Sequence, residues 1–196
     1  MKLNIVSDGN RNPKTKKSNE QSYKYLNIVS EGNSNSKTKK SNEQSYKYLT
    51  FILYLNPINT KICPFQVVAK CKNACLNTAG LGGFYPSIQK ARQRKTDLFL
   101  NDRNEFMRQL FADIVKIEKH CIKKGKTPAI RLNGTSDIQY ELIRVNGLNV
   151  FDSFPGCTFY DYTKIPNRKI SDIKNYSLTW SYSEANKKYS DYFQAV

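Results

Sequence analysis

Four short runs rich in β-branched and aromatic residues alternate with segments of helical periodicity from residue 50 onward. The strand-like runs are "TFILYL" (50–55), "PAIRLN" (128–133), "CTFYDY" (157–162) and "YSLTWSY" (176–182). Strands that alternate with helices form βαβ units, in which the strands are parallel because each crossover returns the chain to the same edge of the sheet. The pattern therefore predicts an α/β fold with a parallel sheet.

The segments between these runs predict four helices. Two of them, "SIQKARQRKTDLFL" (87–100) and "RNEFMRQLFADIVKIEKHCIKK" (103–124), follow the first run; a third is expected from Ile138, and the last is "EANKKYSDYF" (184–193). Asp102 is a typical N-cap of the longest helix, and Gly125 is a typical residue just past its end. Its apolar residues recur every three or four positions, as in a helix with one buried face: Phe106, Leu110, Ile114 and Ile117.

The number of strands limits the architecture. A complete (β/α) barrel takes about 250 residues, whereas residues 50–196 supply four strands. The sequence therefore predicts a partial (β/α) barrel with parallel strands. Because the chain ends in "DYFQAV", where the next strand is expected, this barrel is interpreted as C-terminally truncated.

The N-terminal segment is duplicated. "LNIVSDGNRNPKTKKSNEQSYKY" (3–25) is followed directly by "LNIVSEGNSNSKTKKSNEQSYKY" (26–48), and the copies differ at three positions. Each copy offers too little apolar material to offset the entropy lost on ordering. We therefore predict that residues 1–49 form a largely disordered, flexible basic arm in which the first copy is redundant, and that residues 50–196 form the barrel domain.

The formal net charge of +16 favours a polyanionic neighbour such as nucleic acid. Residues 1–49 contribute +6, from ten Lys and Arg against four Asp and Glu, and the remainder contributes +10, from 22 against 12. Thirteen tyrosines add aromatic surfaces on which bases can stack. The alternative is an ordinary solvated surface in a Lys- and Asn-rich chain.

Three cysteines, Cys63, Cys71 and Cys75, lie within thirteen positions of one loop after the first strand. The N-terminus turns polar too early for a secretory signal, and no apolar run reaches the roughly 18 residues of a membrane span. These features indicate a reducing, cytosolic compartment, where clustered cysteines more often bind metals than form disulfides. Three alternatives remain open: an iron–sulfur cluster with one open iron, a four-ligand zinc site, and buried cysteines without a metal.

Polar residues follow all four strands at the carboxyl edge of the predicted sheet, where ligands bind in α/β folds. Because the loops after parallel strands meet at one edge, we expect these side chains to share a pocket with the cysteine loop. The same residue types also cap helices, which is the alternative explanation. The candidate cofactor-binding residues are Asn133, Ser136, Asp137, Asp161, Lys164, Ser181 and Glu184.

The remaining candidates are weaker. Cys121 lies within a predicted helix and Cys157 opens a strand, so both are predicted to be core residues. His120, the only histidine, lies near a helix C-terminus and is predicted to be at the surface, so histidine-dependent catalysis is not expected. "AGLGGF" (79–84) lacks the lysine of a P-loop. Its glycines are expected to let the backbone pass close to a cluster.

Several of these segments resemble an uncharacterised family of phage- and plasmid-encoded proteins, the actinophage gene-product-eighty-eight-like group. The resemblance extends from about residue 35 to the end and lies in "NSKTKKSNEQSYKYLTFILYLNP", "CPFQVVAKCKNACLNTAG", "ARQRKT", "RLNGTSDI", "FPGCTFYDYTKIPNR" and "NYSLTWSYSE". This family has no established activity, so the resemblance implies an origin on a mobile element and no mechanism.

The chain is also distantly similar to radical-SAM-like phage proteins. The similarity lies in the cysteine loop, "TKIP" (163–166) and "NYSLTWSYSE" (175–184), in this order. It implies a [4Fe–4S] cluster on Cys63, Cys71 and Cys75, with S-adenosylmethionine at the open iron. The spacing here is C-x₇-C-x₃-C, whereas radical-SAM enzymes usually have C-x₃-C-x₂-C.

Three hypotheses about function follow. The first is a radical-SAM-like iron–sulfur enzyme of unknown substrate. The second is a non-catalytic, metal-stabilised nucleic-acid-binding protein of a mobile element. The third is a decayed fragment without activity.

Overall fold

The computed structural model describes residues 29–31, 47–58 and 60–194. These described residues form five strands: β1 (Val29–Glu31), β2 (Tyr48–Leu53), β3 (Thr127–Arg131), β4 (Thr158–Thr163) and β5 (Tyr176–Trp180). The α-helices are α1 (Gly80–Phe84), α2 (Pro86–Asn101), α3 (Arg103–Lys123), α4 (Val150–Ser153) and α5 (Lys187–Gln194). Short 3₁₀ helices span Lys72–Ala74, Leu76–Thr78, Tyr140–Leu142 and Glu184–Asn186.

The strands form one sheet in the order β1-β2-β3-β4-β5. β2, β3, β4 and β5 are parallel, as the sequence predicts, with Phe51 opposite Ile130, Ile130 opposite Phe159 and Phe159 opposite Tyr176. Each parallel strand lies beside the one that precedes it in the chain. Within the described residues the sheet is open, with β1 and β5 at its two edges. The fold is therefore mixed α/β around a four-stranded parallel sheet.

The first strand, β1, lies in the second copy of the duplicated segment. It pairs antiparallel with β2, with Ser30 opposite Ile52. Sequence reasoning placed this segment in the arm and did not predict a strand there. Residues 1–28 and 32–46 of the predicted arm lie outside the described residues, so their predicted disorder stays a prediction, whereas Tyr48 and Leu49 at the end of the predicted arm belong to β2.

The longest helix, α3, packs its apolar stripe into the core as predicted. The side chain of Phe106 is fully buried, and Leu110, Ile114 and Ile117 are at most 2% exposed. Asp102 caps the helix by accepting a hydrogen bond from the backbone N–H of Glu105 at 3.0 Å. Just past the C-terminus, Gly125 adopts a φ of 60°. This confirms the predicted beginning and end of the helix.

The prediction of a helix from Ile138 is wrong. The chain forms only the 3₁₀ turn Tyr140–Leu142 there and then reverses at Asn146 and Gly147, whose φ angles are 52° and 84°. An Asn-Gly pair favours positive φ at both central residues of a tight turn, which is incompatible with a continuous helix. The isolated bridge between Val145 and Leu148 closes this turn. A four-residue helix, α4, then leads to β4.

Candidate functional site

The carboxyl ends of the parallel strands carry a buried polar network that begins at Asn133, just after β3. Its backbone N–H donates to Oδ1 of Asp161 on β4 at 2.8 Å, and its amide nitrogen donates to Asp161 Oδ2 at 3.3 Å. The amide oxygen of Asn133 accepts hydrogen bonds from the Ser136 hydroxyl and from the Ile138 N–H. Asn133 thus shapes the loop after β3 and joins it to β4.

Asp161 is 1% exposed, and this burial raises its pKa to about 7. The backbone N–H of Asn133 and the charge of Arg131 act in the opposite direction by favouring the carboxylate. The phenol of Tyr176 also approaches Asp161 Oδ2, at 3.4 Å. Protein groups therefore surround Asp161, as they do Asn133.

Asp137 joins the β3 loop to the end of β4. Its two oxygens accept hydrogen bonds from the Thr163 hydroxyl and from the backbone N–H of Lys164, both at 2.7 Å. Burial raises the pKa of Asp137, and these two donors oppose the rise. Arg168 lies 3.3 Å from the same carboxylate.

Lys164 joins the ends of β4 and β5. Its ammonium group donates to the carbonyl of Ser181 at 2.8 Å, to the Ser181 hydroxyl at 3.1 Å and to the carbonyl of Tyr182 at 3.1 Å. Glu184, the last of the seven candidates, has an exposed side chain at the start of the 3₁₀ turn that precedes α5. Six of the seven candidates thus lie in one connected set of contacts, and Glu184 lies at the surface beside it.

The cysteine loop is anchored to this network. The N–H of Asp137 donates to the carbonyl of Ile62, next to Cys63, at 2.9 Å. The buried hydroxyl of Ser183 donates to the carbonyl of Ala69 at 2.5 Å. Ser183 was not among the predicted site residues, because the charged side chain of its neighbour Glu184 was chosen instead. Both anchors hold the cysteine loop at the carboxyl edge, where the sequence predicts it.

A pocket of about 600 Å³ lies in the cysteine loop. Its walls come from the loop after β2, the first 3₁₀ turns and α2: Pro57, Ile58, Cys63, Gln66, Cys71, Lys72, Asn73, Cys75, Asn77, Thr78 and Gln89. Thus all three predicted cysteines line one cavity. The seven strand-end candidates, all within the described residues, are not among the residues that line this pocket.

Each wall of the pocket is fixed by hydrogen bonds within the loop. The amide of Gln66 donates to the carbonyl of Pro57 at 2.9 Å. Cys75 caps the turn Leu76–Thr78, where its sulfur accepts from the N–H of Asn77 at 3.4 Å. Gln89 on α2 donates to the carbonyl of Asn77 at 2.6 Å. The loop therefore presents its thiols on a defined surface.

The thiols are half-buried, and their electrostatics reflect this. Burial raises the pKa of Cys63 to about 12; Asp137 and the other two cysteines act in the same direction, and Lys164 opposes it. Burial also raises the pKa of Cys71, and Lys164 again opposes it. Both thiols are therefore protonated at neutral pH when nothing is bound to them.

Arg92 lies behind the pocket wall and was not predicted as a site residue. It is 6% exposed, its Nη1 donates to the carbonyl and side-chain oxygens of Asn77, and its guanidinium lies 5.0 Å from the centre of the Tyr54 ring. A Cβ at Gly82 would lie 2.6 Å from Nη2 of Arg92. Gly82 therefore makes room for the guanidinium, whereas the sequence predicted room for a cluster.

No group of three or more His, Cys, Asp or Glu side chains in the described part of the chain is placed to hold a metal ion. The two other cysteines precede β3 and β4 at the opposite edge of the sheet. Cys121 and Cys157 are at most 2% exposed, which confirms that they are core residues. His120, predicted to lie at the surface, is half-buried and packs edge-on against Phe51.

The family described as Gene product 88 matches residues 24–195. Since this match covers most of the chain, the protein belongs to that family, a phage gene product family of unknown function. Searches among curated proteins and among solved structures give no significant match. The comparisons therefore give no support to the similarity with radical-SAM-like proteins. Within the described residues, no helix is both long and apolar enough to cross a membrane.

The family match includes the second copy of the repeat and excludes residues 1–23. Deleting residues 1–25 is therefore expected to leave the Tm unchanged, because the first copy has little apolar surface with which to stabilise a fold. Thermal unfolding followed by circular dichroism measures this directly. As a control, deletion of residues 1–46 also removes β1 and is expected to lower the Tm. A drop in Tm on removal of residues 1–25 alone would contradict the prediction.

Proposed function

We propose that the pocket in the cysteine loop binds an iron–sulfur cluster through Cys63, Cys71 and Cys75. The observation that carries this proposal is that all three half-buried thiols line one cavity of about 600 Å³ at the carboxyl edge of a parallel sheet. Cysteine thiolates are the usual protein ligands of such clusters. The proposal therefore assigns a class of cofactor. These residues do not specify a substrate for the protein.

The placement of the thiols favours a cluster over a single ion. A zinc ion needs its sulfur ligands at about 2.3 Å from one point, and the described residues contain no such preformed group. In a cluster, by contrast, each cysteine binds a different iron, so thiols spread around the walls of one cavity suit it better. Zinc remains the alternative occupant.

Two cations near the thiols support the binding of an anionic group. Lys164 opposes the rise in the pKa of both Cys63 and Cys71. Arg92 interacts electrostatically with Cys75 from behind the wall. Because a metal displaces the thiol protons, and burial raises the pKa of Cys63 to about 12, binding should strengthen as the pH rises.

A cluster with three cysteine ligands supplies one iron that is open to a small molecule. The similarity to radical-SAM-like proteins would make that molecule S-adenosylmethionine, and the sequential strand order supports a segment of a (β/α) barrel. In this proposal Asp137 and Ser183 position the cysteine loop through Ile62 and Ala69, without contacting the ligand. The compartment would be the reducing cytoplasm of the bacterial host.

The test is anaerobic reconstitution of the full chain with iron and sulfide, followed by metal analysis. We expect about four irons per chain, with a broad visible absorbance, and loss of both in Cys71→Ala. The matched control is Cys157→Ser, which changes a cysteine at the opposite edge and should keep the iron.

Other outcomes would overturn the proposal. One zinc per chain, retained after reconstitution, would replace the cluster with a structural zinc site. If neither metal binds, the three thiols line the pocket without a metal. Equal iron in the wild type and in Cys71→Ala would mean that the iron is bound elsewhere. Adding S-adenosylmethionine to the reconstituted protein and recording the change in its spectrum tests the open iron separately.

A further inference from the structure

Residues 44–96 contain eight lysines and arginines and no acidic residue, whereas the whole chain has 16 Asp and Glu. We call this stretch the acid-free segment. It runs from just before β2 through the cysteine loop and along most of α2. A surface built from it attracts polyanions without competing carboxylates of its own.

Two aromatic rings project from the acid-free segment where α1 meets α2. Phe84 is 79% exposed and Tyr85 is 43% exposed. Their ring centroids are 5.5 Å apart and their planes lie at 77°, an edge-to-face contact between two rings that are both exposed to solvent. Exposed aromatic rings of this kind are the surfaces on which unpaired nucleic-acid bases stack.

The acid-free segment that carries this aromatic pair also carries exposed cations. α2 begins at Pro86, directly after Tyr85, and it places Lys90 and Arg94 four residues apart on an exposed face. Lys72 lines the pocket together with Gln89, and Gln89 directly precedes Lys90 on α2. All three cations are exposed to solvent.

We propose that the surface formed by Lys72, Phe84, Tyr85, Lys90 and Arg94 binds single-stranded nucleic acid without sequence specificity. The phosphates would pair with the cations, and unpaired bases would stack on the two rings. A duplex hides its base faces and would gain only the phosphate contacts. A second copy of the chain is a poor occupant, because each copy has a net charge of +16. Of these five residues only Lys72 lines the pocket, and the variants that test the proposal leave Lys72 unchanged.

The test is fluorescence anisotropy of the full chain with a labelled oligothymidylate of about 12 nucleotides. The double variant Phe84→Ala/Tyr85→Ala is expected to bind about tenfold or more weakly. Lys90→Gln/Arg94→Gln is also expected to bind more weakly, with the slope of log K against log salt reduced by about 1.4 for two lost phosphate contacts. A duplex of matched length should lose little affinity when the two rings are removed.

The matched control is Lys123→Gln/Lys124→Gln, which removes the same two charges from the end of α3, where both residues are exposed. It should bind within about twofold of the wild type if the proposed surface is the site, because screening limits the reach of charge to about 10 Å. All variants keep the N-terminal basic residues, so these residues cannot account for a difference.

Several results would overturn the proposal. An equal loss in the control would mean that net charge alone attracts the oligonucleotide. Unchanged affinity in the aromatic variant, or no binding at low salt, would exclude the surface as a single-strand site. Equally effective competition by polyglutamate would point to an acidic protein partner. Circular dichroism of each variant shows whether its fold is retained.

Discussion

Arg168→Met is expected to lower the free energy of unfolding by about 3–5 kcal/mol, because it leaves buried carboxylates without their cation. The guanidinium of Arg168 is 1% exposed and forms two parallel hydrogen bonds to Glu141, at 2.9 and 2.6 Å. It also lies 3.3 Å from Asp137 and donates to the phenol of Tyr176 at 3.1 Å. Urea unfolding at pH 7 measures the loss.

The control for this prediction is the neighbouring exposed residue. Lys169→Met should change the stability by less than about 0.5 kcal/mol, as surface substitutions usually do. Arg168→Lys should give an intermediate loss, because an ammonium keeps the charge but cannot make the paired contact with Glu141. A loss of less than about 1 kcal/mol in Arg168→Met would show that the network adds little to stability.

The pH dependence provides a second check. Burial raises the pKa of Asp137, and the charge of Arg168 opposes the rise, so the pKa of this buried carboxyl group would rise further without Arg168. A carboxyl group with a raised pKa destabilises the fold as the pH rises through that pKa. The loss of unfolding free energy in Arg168→Met should therefore become smaller as the pH falls from 7 towards 4–5, close to the ordinary range of carboxyl pKa values. A deficit that is constant with pH would indicate lost packing instead of uncompensated charge.

The parallel strands and the two long helices could be predicted because their information is local. In α3 the spacing of Phe106, Leu110 and Ile114 determines which face is buried, and Asp102 and Gly125 fix its ends. The prediction of a helix from Ile138 failed because the Asn146-Gly147 turn, with positive φ at both residues, is incompatible with a continuous helix. β1 was missed because Val29–Glu31 has no strand pattern of its own and is defined by its pairing with β2.

The site could be predicted only in outline. The positions of the three cysteines in one loop predicted that they would lie together, since a loop after a parallel strand ends at the carboxyl edge of the sheet. The support from Arg92 could not be predicted, because it depends on a contact with Asn77 fifteen residues away and on the space left by Gly82. Nor does sequence distinguish a ligand-facing Asp137 from one that accepts hydrogen bonds from Thr163 and Lys164.

The position of the pocket depends on the hydrogen bonds between the strand-end residues. Asn133, Asp137 and Lys164 each join neighbouring strand ends, and the cysteine loop then rests on these connections through Ile62 and Ala69. Loosening the strand ends should therefore loosen the pocket, even where no pocket residue is changed. The loop after β3 has little spare space at Gly134.

Gly134→Ala is expected to destabilise the protein by about 3 kcal/mol, at the upper end of the usual cost of overpacking. A Cβ at this position would lie 2.7 Å from Cγ2 of Ile52 and 2.7 Å from the carbonyl oxygen of Leu53. That carbonyl accepts the hydrogen bond of the Gly134 N–H at 3.0 Å, so the loop cannot move away without losing a link to β2. Urea unfolding of the variant tests the expected loss.

The same substitution should also disturb the pocket, which separates this prediction from a purely local effect. Thr135 donates to the carbonyl of Leu55, and Asp137 donates to the carbonyl of Ile62, so displacing the loop after β3 moves both anchors of the segment that leads to Cys63. We expect the cysteines of Gly134→Ala to react faster with a thiol reagent in the native state. Gly156→Ala is the matched control, because its new Cβ would meet only Glu118 Oε1, at an ordinary 3.5 Å. If the two variants have equal stability and equal thiol reactivity, the loop after β3 does not support the cysteine pocket.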